Sequence, residues 1–192
     1  MKKIFYLHIP KTGGQTLATR LASAFPYGKT SILNTRLGEG DKRKLVGMLS
    51  KYDFIESHVS GKLLSSFKNL DILITVRNPV HQIISHYLHI RRAPEHPFYR
   101  PASELTPNIF FDKYSDIITN RQSRNLVNSL VGPKKYPHEA DFSEMKYLTE
   151  HLFEALKKVR WSVPTEEIDD FVSIWEIENK LRIPIKNINV NV

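Results

Sequence analysis

Apolar positions follow two rhythms in the first half of this chain. In Ile4 to Ile9 and Asp71 to Val76 nearly every residue is apolar over a short run, the pattern of strands buried on both faces. Tyr52 to Ser57 predicts a further short strand between them. The intervening segments change to helical spacing. Leu17, Leu21 and Phe25 share one side of a helix predicted over Gly14 to Phe25, and Asp41 to Leu49 predicts a second. Pro79 suits a first helical turn and opens a helix reaching about Arg92. Strands alternating with helices predict an α/β fold of three layers, a central parallel sheet flanked by helices.

The second half is less regular. The Pro-rich stretch Pro94 to Pro107 reads as a long loop, either a substrate-side or a mobile segment. Helical pattern resumes from Ile109 to about Leu130 and again from Phe142 to Val159, and Trp161 to Val163 predicts one more strand. Thr165-Glu166-Glu167 has the form of a capped helix start, with Ile168, Phe171, Val172 and Trp175 at helical spacing behind it. Ile183 to Val192 reads either as a closing strand or as a point where a longer relative would continue. Neither repeat nor low-complexity block divides the chain, so residues 1–192 are expected to form a single domain.

Composition narrows the partners more than the fold. Hydrophobic content of 41% and charged content of 25% are those of an ordinary soluble globular protein. Absence of cysteine removes disulfides and thiolate metal sites. No apolar run approaches the roughly 20 residues a membrane span needs. Lys2-Lys3 precedes a run that leads into a glycine turn, which reads as a strand rather than a signal peptide, so a cytoplasmic location is expected. The net charge of +8 favours anionic partners. Basic residues are spread without a continuous tract, which argues against nucleic acid.

The candidate chemistry lies at strand ends. In an open parallel sheet, ligands bind beyond the carboxyl ends of the strands. Lys11 follows the first expected strand, His58 the second and Arg77 the third, so parallel pairing puts all three on one rim. Lys11-Thr12-Gly13-Gly14-Gln15-Thr16, between a strand and a helix, has the form of an anion cradle built from backbone N–H groups. It is not a Walker loop: Gln15 stands where lysine would precede Thr16, and Ile9 where the first glycine would be. A metal-free anion site fits that pattern better. Arg77 and Ser85 could clamp a second phosphate. His58 is the natural proton acceptor near neutrality. Glu56, two residues earlier on the same side of the strand, could orient His58 or act as a second base. His81, His86 and His89 read as helix-surface or packing residues, and His8 as sheet packing.

On these residues the chain resembles sulfotransferases that use 3′-phosphoadenosine 5′-phosphosulfate (PAPS). HIPKTGGQTL is similar to their 5′-phosphosulfate loop, closest to the carbohydrate type, such as the heparan sulfate uronyl 2-O-sulfotransferases, and bacterial relatives. TVRNPVHQIISHY is similar to the 3′-phosphate motif, which puts that role on Arg77 and Ser85. FIESHVSG resembles the segment with the catalytic histidine, here His58. NRQSRNLVNSL, from Asn120, resembles a further Gln-x-Arg-x-Leu segment. The matched segments run in family order from about Ile4 to Leu130. Two positions depart: Gln15-Thr16 replaces a hydroxyl pair, and Glu56 stands where the closest animal relatives carry a second histidine. The chain also stops where family members continue into a segment covering the adenosine.

The resemblance implies sulfuryl transfer from PAPS to a hydroxyl acceptor, a saccharide by analogy, without a metal. Lys11 would neutralise charge on the bridging oxygen. The cradle N–H groups and the hydroxyls of Thr12 and Thr16 would hold the 5′-phosphate, and His58 would take the proton. Two rivals share the architecture: a P-loop kinase, and a nucleotide-binding module without catalysis.

Overall fold

The computed structural model describes residues 3–59, 61, 63–67, 70–132 and 142–179. Strand β1 (Ile4–Leu7) lies at the centre of a five-stranded sheet, between β3 (Phe54–Val59) and β4 (Asp71–Val76). Strands β2 (Thr30–Leu37) and β5 (Val159–Pro164) form the edges, and every pairing is parallel. Ile4 pairs with Phe54 on one side and Asp71 on the other, and the register runs unbroken to Leu7. The carboxyl ends of β1, β3 and β4 therefore emerge side by side.

Both sheet faces are covered, which is why these strands read as continuous apolar runs. Along β1, Phe5 and Leu7 enter one core and Ile4 and Tyr6 the other, the two-residue alternation of a pleated strand. The first core packs Ile55, Ile72 and Ile74 against Leu45 of α2 (Lys42–Lys51), Leu126 and Leu130 of α7 (Arg121–Leu130), and Leu148 of α8 (Phe142–Leu156). The second joins Leu17 and Leu21 of α1 (Gly14–Ala22) to Val172 and Trp175 of α9 (Ile168–Asn179). A smaller cluster ties Tyr87 and Ile90 of α3 (Pro79–Ile90) to Ala102 of α4 (Tyr99–Glu104) and Phe110 of α5 (Pro107–Lys113). Helix α6 (Ser115–Ile118) follows.

Several expectations change. The sheet has an edge strand, β2, that the sequence pattern did not announce; its residue Ile32 is exposed while Leu37 is fully buried, so no clean alternation exists. Pro94 to Pro107 is not wholly loop, because α4 tolerates Pro101 in its first turn, where backbone N–H groups lack helical partners anyway. The helical stretch 109–130 is three helices: Tyr114 interrupts it once, and Asn120, at φ 50°, again. Thr165 does not cap α9 with its side chain; Thr165–Glu167 forms a 3₁₀ turn instead. Ile183 to Val192 lies outside the described residues.

Candidate functional site

The loop after β1 bends through two left-handed residues, Lys11 at φ 68° and Gly13 at φ 75°. Glycine enters that region freely; lysine does so at a cost of about 1 kcal/mol or more. Left-handed non-glycine backbone persists where surrounding structure enforces it, commonly at functional sites. Here the enforcement is visible. Tyr6, Thr75 and Thr12 are fully buried and their hydroxyls form a chain, 2.7 Å from Tyr6 Oη to Thr75 Oγ1 and 2.7 Å on to Thr12 Oγ1. Thr12 donates its single proton to the Ile9 carbonyl at 2.8 Å. Thr75 must therefore donate to Thr12, and Tyr6 to Thr75. Burial pushes the Tyr6 phenol well up, so it remains a donor. Across the loop, Thr165 Oγ1 lies 2.9 Å from the carbonyls of both Thr12 and Val76.

This arrangement corrects one expectation. The Thr12 hydroxyl is turned into the core and occupied, so it does not face an anion. Gly13, Gly14, Gln15 and Thr16 line the cavity above the loop with Lys11. Gly14 must be glycine because a Cβ there would overlap the His8 ring and come within 2.7 Å of Tyr6 Oη.

Arg77 leaves the end of β4 and lines the same cavity, as does Ser85 on α3. Its backbone is gripped from α7: the Arg77 N–H donates to Gln122 Oε1 at 2.9 Å, and Gln122 Nε2 donates to the Arg77 carbonyl at 2.8 Å. The Arg77 Nε is buried without a hydrogen-bond partner. Asn78 caps α3 by accepting from the N–H groups of Val80 and His81, with Pro79 at the first helical position. Gln82 Nε2 then donates to the Pro10 carbonyl at 3.1 Å, joining α3 to the loop.

His58 lies near the end of β3, half-buried and facing the cavity. Its Nδ1 is 2.7 Å from the His8 carbonyl. A carbonyl only accepts, so the neutral ring carries its proton on Nδ1 and keeps the Nε2 lone pair free. Burial, with His8 alongside, holds its pKa below the usual histidine value. The hydrogen bond of Glu56 goes to His8 and not to His58, on which Glu56 acts through its charge. Glu56 is buried and accepts from His8 Nδ1 at 2.5 Å, while its second oxygen has no hydrogen-bond partner. His8 and His58 stack with ring centroids 4.4 Å apart. His8 is thus not sheet packing: it lines the cavity between the cradle and His58.

The cavity, about 660 Å³, has a further wall that sequence reasoning assigned elsewhere. His86 and His89 of α3 face it, joined by His96 from the Pro-rich stretch and Arg121 from the start of α7. Of the three α3 histidines, His81 alone stays on the outer surface. His86 Nε2 lies 2.6 Å from Arg121 Nη1. Burial beside Arg121 pushes the His86 pKa down to about 3, and burial beside Arg36 and Arg124 brings Arg121 down to about 10. Lys11 is lowered by burial and by the positive charge of Arg121 and Arg92. Lys11, Arg77 and Arg121 all line the cavity, and no carboxylate does among the described residues. The only sequence signal for this wall was that Arg121 falls in the NRQSRNLVNSL segment.

Among the described residues no helix is long and apolar enough to cross a membrane. No protein-family model matches the chain, and no curated protein matches it either. Among solved structures, the crystal structure of mouse sulfotransferase SULT7A1 complexed with PAP is similar, with a TM-score of 0.53 and 19% identity. The match covers 97% of this chain and 60% of that one, so the chain spans less than two thirds of the solved structure's length. At that identity the likeness establishes the fold: a central parallel sheet flanked by helices, the P-loop-like arrangement of a sulfotransferase.

Proposed function

We propose that this chain transfers a sulfuryl group from PAPS to a hydroxyl acceptor. One observation carries the reading: the carboxyl ends of β1, β3 and β4 deliver a cation-bearing glycine loop, a histidine with a free Nε2 and an arginine to one cavity without a carboxylate among its described lining residues. The sulfotransferase fold and the motif resemblance support the same assignment. Magnesium-dependent kinase chemistry is less well served, since Lys11 precedes the glycines rather than following them.

In this reading the loop from Lys11 to Thr16 binds the 5′-phosphosulfate end through backbone N–H groups and Lys11, with the Thr16 hydroxyl alongside. Arg77 and Ser85 bind the 3′-phosphate, so the donor is positioned and not merely held. The acceptor oxygen attacks sulfur, the bond from sulfur to the phosphate oxygen breaks, and the hydroxyl proton passes to His58 Nε2. Lys11 offsets the charge growing on the departing phosphate. Adenosine 3′,5′-bisphosphate (PAP) leaves. The motif resemblance favours a saccharide acceptor.

Calorimetry with PAP against adenosine 5′-phosphate tests the donor assignment. Binding should strongly favour the bisphosphate, and Arg77→Ala should abolish that preference. Equal affinity for the two nucleotides in the unaltered chain would overturn it.

A further inference from the structure

Among the described lining residues, Arg121 is the cation that the proposed transfer leaves unused. Its guanidinium meets the neutral ring of His86, at 2.6 Å, rather than a carboxylate. A guanidinium can only donate, so His86 Nε2 accepts and the His86 proton sits on Nδ1. The Arg121 Nε is buried and has no hydrogen-bond partner. The charges that act on it come from Arg36 and Arg124, and it acts in turn on Lys11, His89 and His96. Arg36 also acts on His58, which it faces in the β2–β3 register. Arg121 therefore sits within electrostatic reach of the cradle lysine and of the basic edge beside His58. A half-buried arginine among other cations, aimed by a neutral acceptor, is costly unless an anion joins it.

We infer that Arg121, aimed by His86, is an oxyanion-binding element of the cavity, separate from the Arg77–Ser85 pair. Its ligand is a sulfate-like or carboxylate group with room for a forked contact. That group has two sources under the proposed function, on which this assignment rests: the sulfuryl end of the donor, or an acidic group on the acceptor. His86 is a positioning residue here, acting only through Arg121.

The test compares the unaltered chain with Arg121→Ala, Arg121→Lys, His86→Leu and His86→Gln. Binding of PAP, PAPS, inorganic sulfate and a uronate-bearing disaccharide with PAP present is measured by calorimetry, and folding is checked by circular dichroism. Arg121→Ala should leave PAP affinity nearly unchanged. It should weaken sulfate, and either PAPS or the disaccharide, by about 10- to 100-fold, the loss of a charge-assisted contact. Loss confined to PAPS names the donor as source; loss confined to the disaccharide names the acceptor. Arg121→Lys should recover only part of the affinity. His86→Leu should follow Arg121→Ala, and His86→Gln, whose amide oxygen can accept in place of Nε2, should restore it. Folded Arg121→Ala or His86→Leu chains that bind sulfate, PAPS and the disaccharide like the unaltered chain would overturn the inference. Failure of the proposed function registers separately, as absence of preference for PAP over adenosine 5′-phosphate in the unaltered chain, because the sulfate measurement does not depend on the nucleotide.

Discussion

His58 on β3 and His86 on α3 both face the cavity, and burial drives both toward the neutral ring, yet they use opposite nitrogens. His58 gives its Nδ1 proton to the His8 carbonyl and leaves Nε2 as a free lone pair. His86 commits Nε2 to the Arg121 guanidinium and keeps its proton on Nδ1. The partner of one ring nitrogen thus assigns the task of the other. A free lone pair makes a base; a committed one makes a brace. Composition alone cannot distinguish them, because the difference arises from a carbonyl in one place and a guanidinium in the other.

The sharpest way to break this contrast is to remove the His58 ring. His58→Ala should lower sulfuryl transfer by about 10²–10⁴-fold while calorimetry shows PAP still bound. Undiminished transfer would take His58 out of the chemistry. Gly14→Ala comes next, since the added Cβ meets the His8 ring whose carbonyl aligns His58. A loss of about 10²-fold is expected from misplacement of that order, read as turnover at saturating donor.

Thr75→Val examines the support beneath the loop. Without its hydroxyl, Tyr6 Oη and Thr12 Oγ1 each lose a buried partner. Chemical denaturation should show a loss of about 1–3 kcal/mol, and a neutral result would mean the buried hydroxyl chain is not holding the loop.

The smallest effects are in pH. The acid limb of kcat/KM should have its midpoint below about 6.5, because the pKa of His58 is depressed; a midpoint above that value contradicts the geometry. For stability, His86 titrates near 6.5 when unfolded but at about 3 when folded. Between those values the unfolded chain binds the extra proton, so stability is full above the upper value and falls as pH drops toward the lower. His86→Gln should flatten that acid slope in thermal melts, and an unchanged slope would show that His86 does not carry it.

Local features of the site were legible in the sequence because their determinants are contiguous. Strand, glycine turn and helix follow one another within Ile4 to Ala22, and Asn78-Pro79 caps α3 with its own neighbours. Lys11, His58 and Arg77 meet because parallel register forces it. Features assembled across the fold escaped. Thr12 has a cradle position but points inward, drawn by Thr75 from the adjacent strand. Glu56 has the alternation of a His58 partner, yet His8, just past the end of β1, reaches it instead. His96 looked unrelated to His86 and His89 because its ring separations of 6.0 and 6.3 Å from them arise only once the Pro94 segment folds back over α3. Strand β2 was missed because a half-exposed edge carries neither a clean alternation nor a continuous apolar run.

The two hydrogen-bond distances at Thr165 also bear on biosynthesis. That hydroxyl bridges Thr12 and Val76, residues that leave the ribosome long before it does. A nascent chain can pair β1, β3 and β4 early, but its cradle stays unlatched until translation has passed position 165. The loop after β1 therefore gains this latch only after Thr165 has been made.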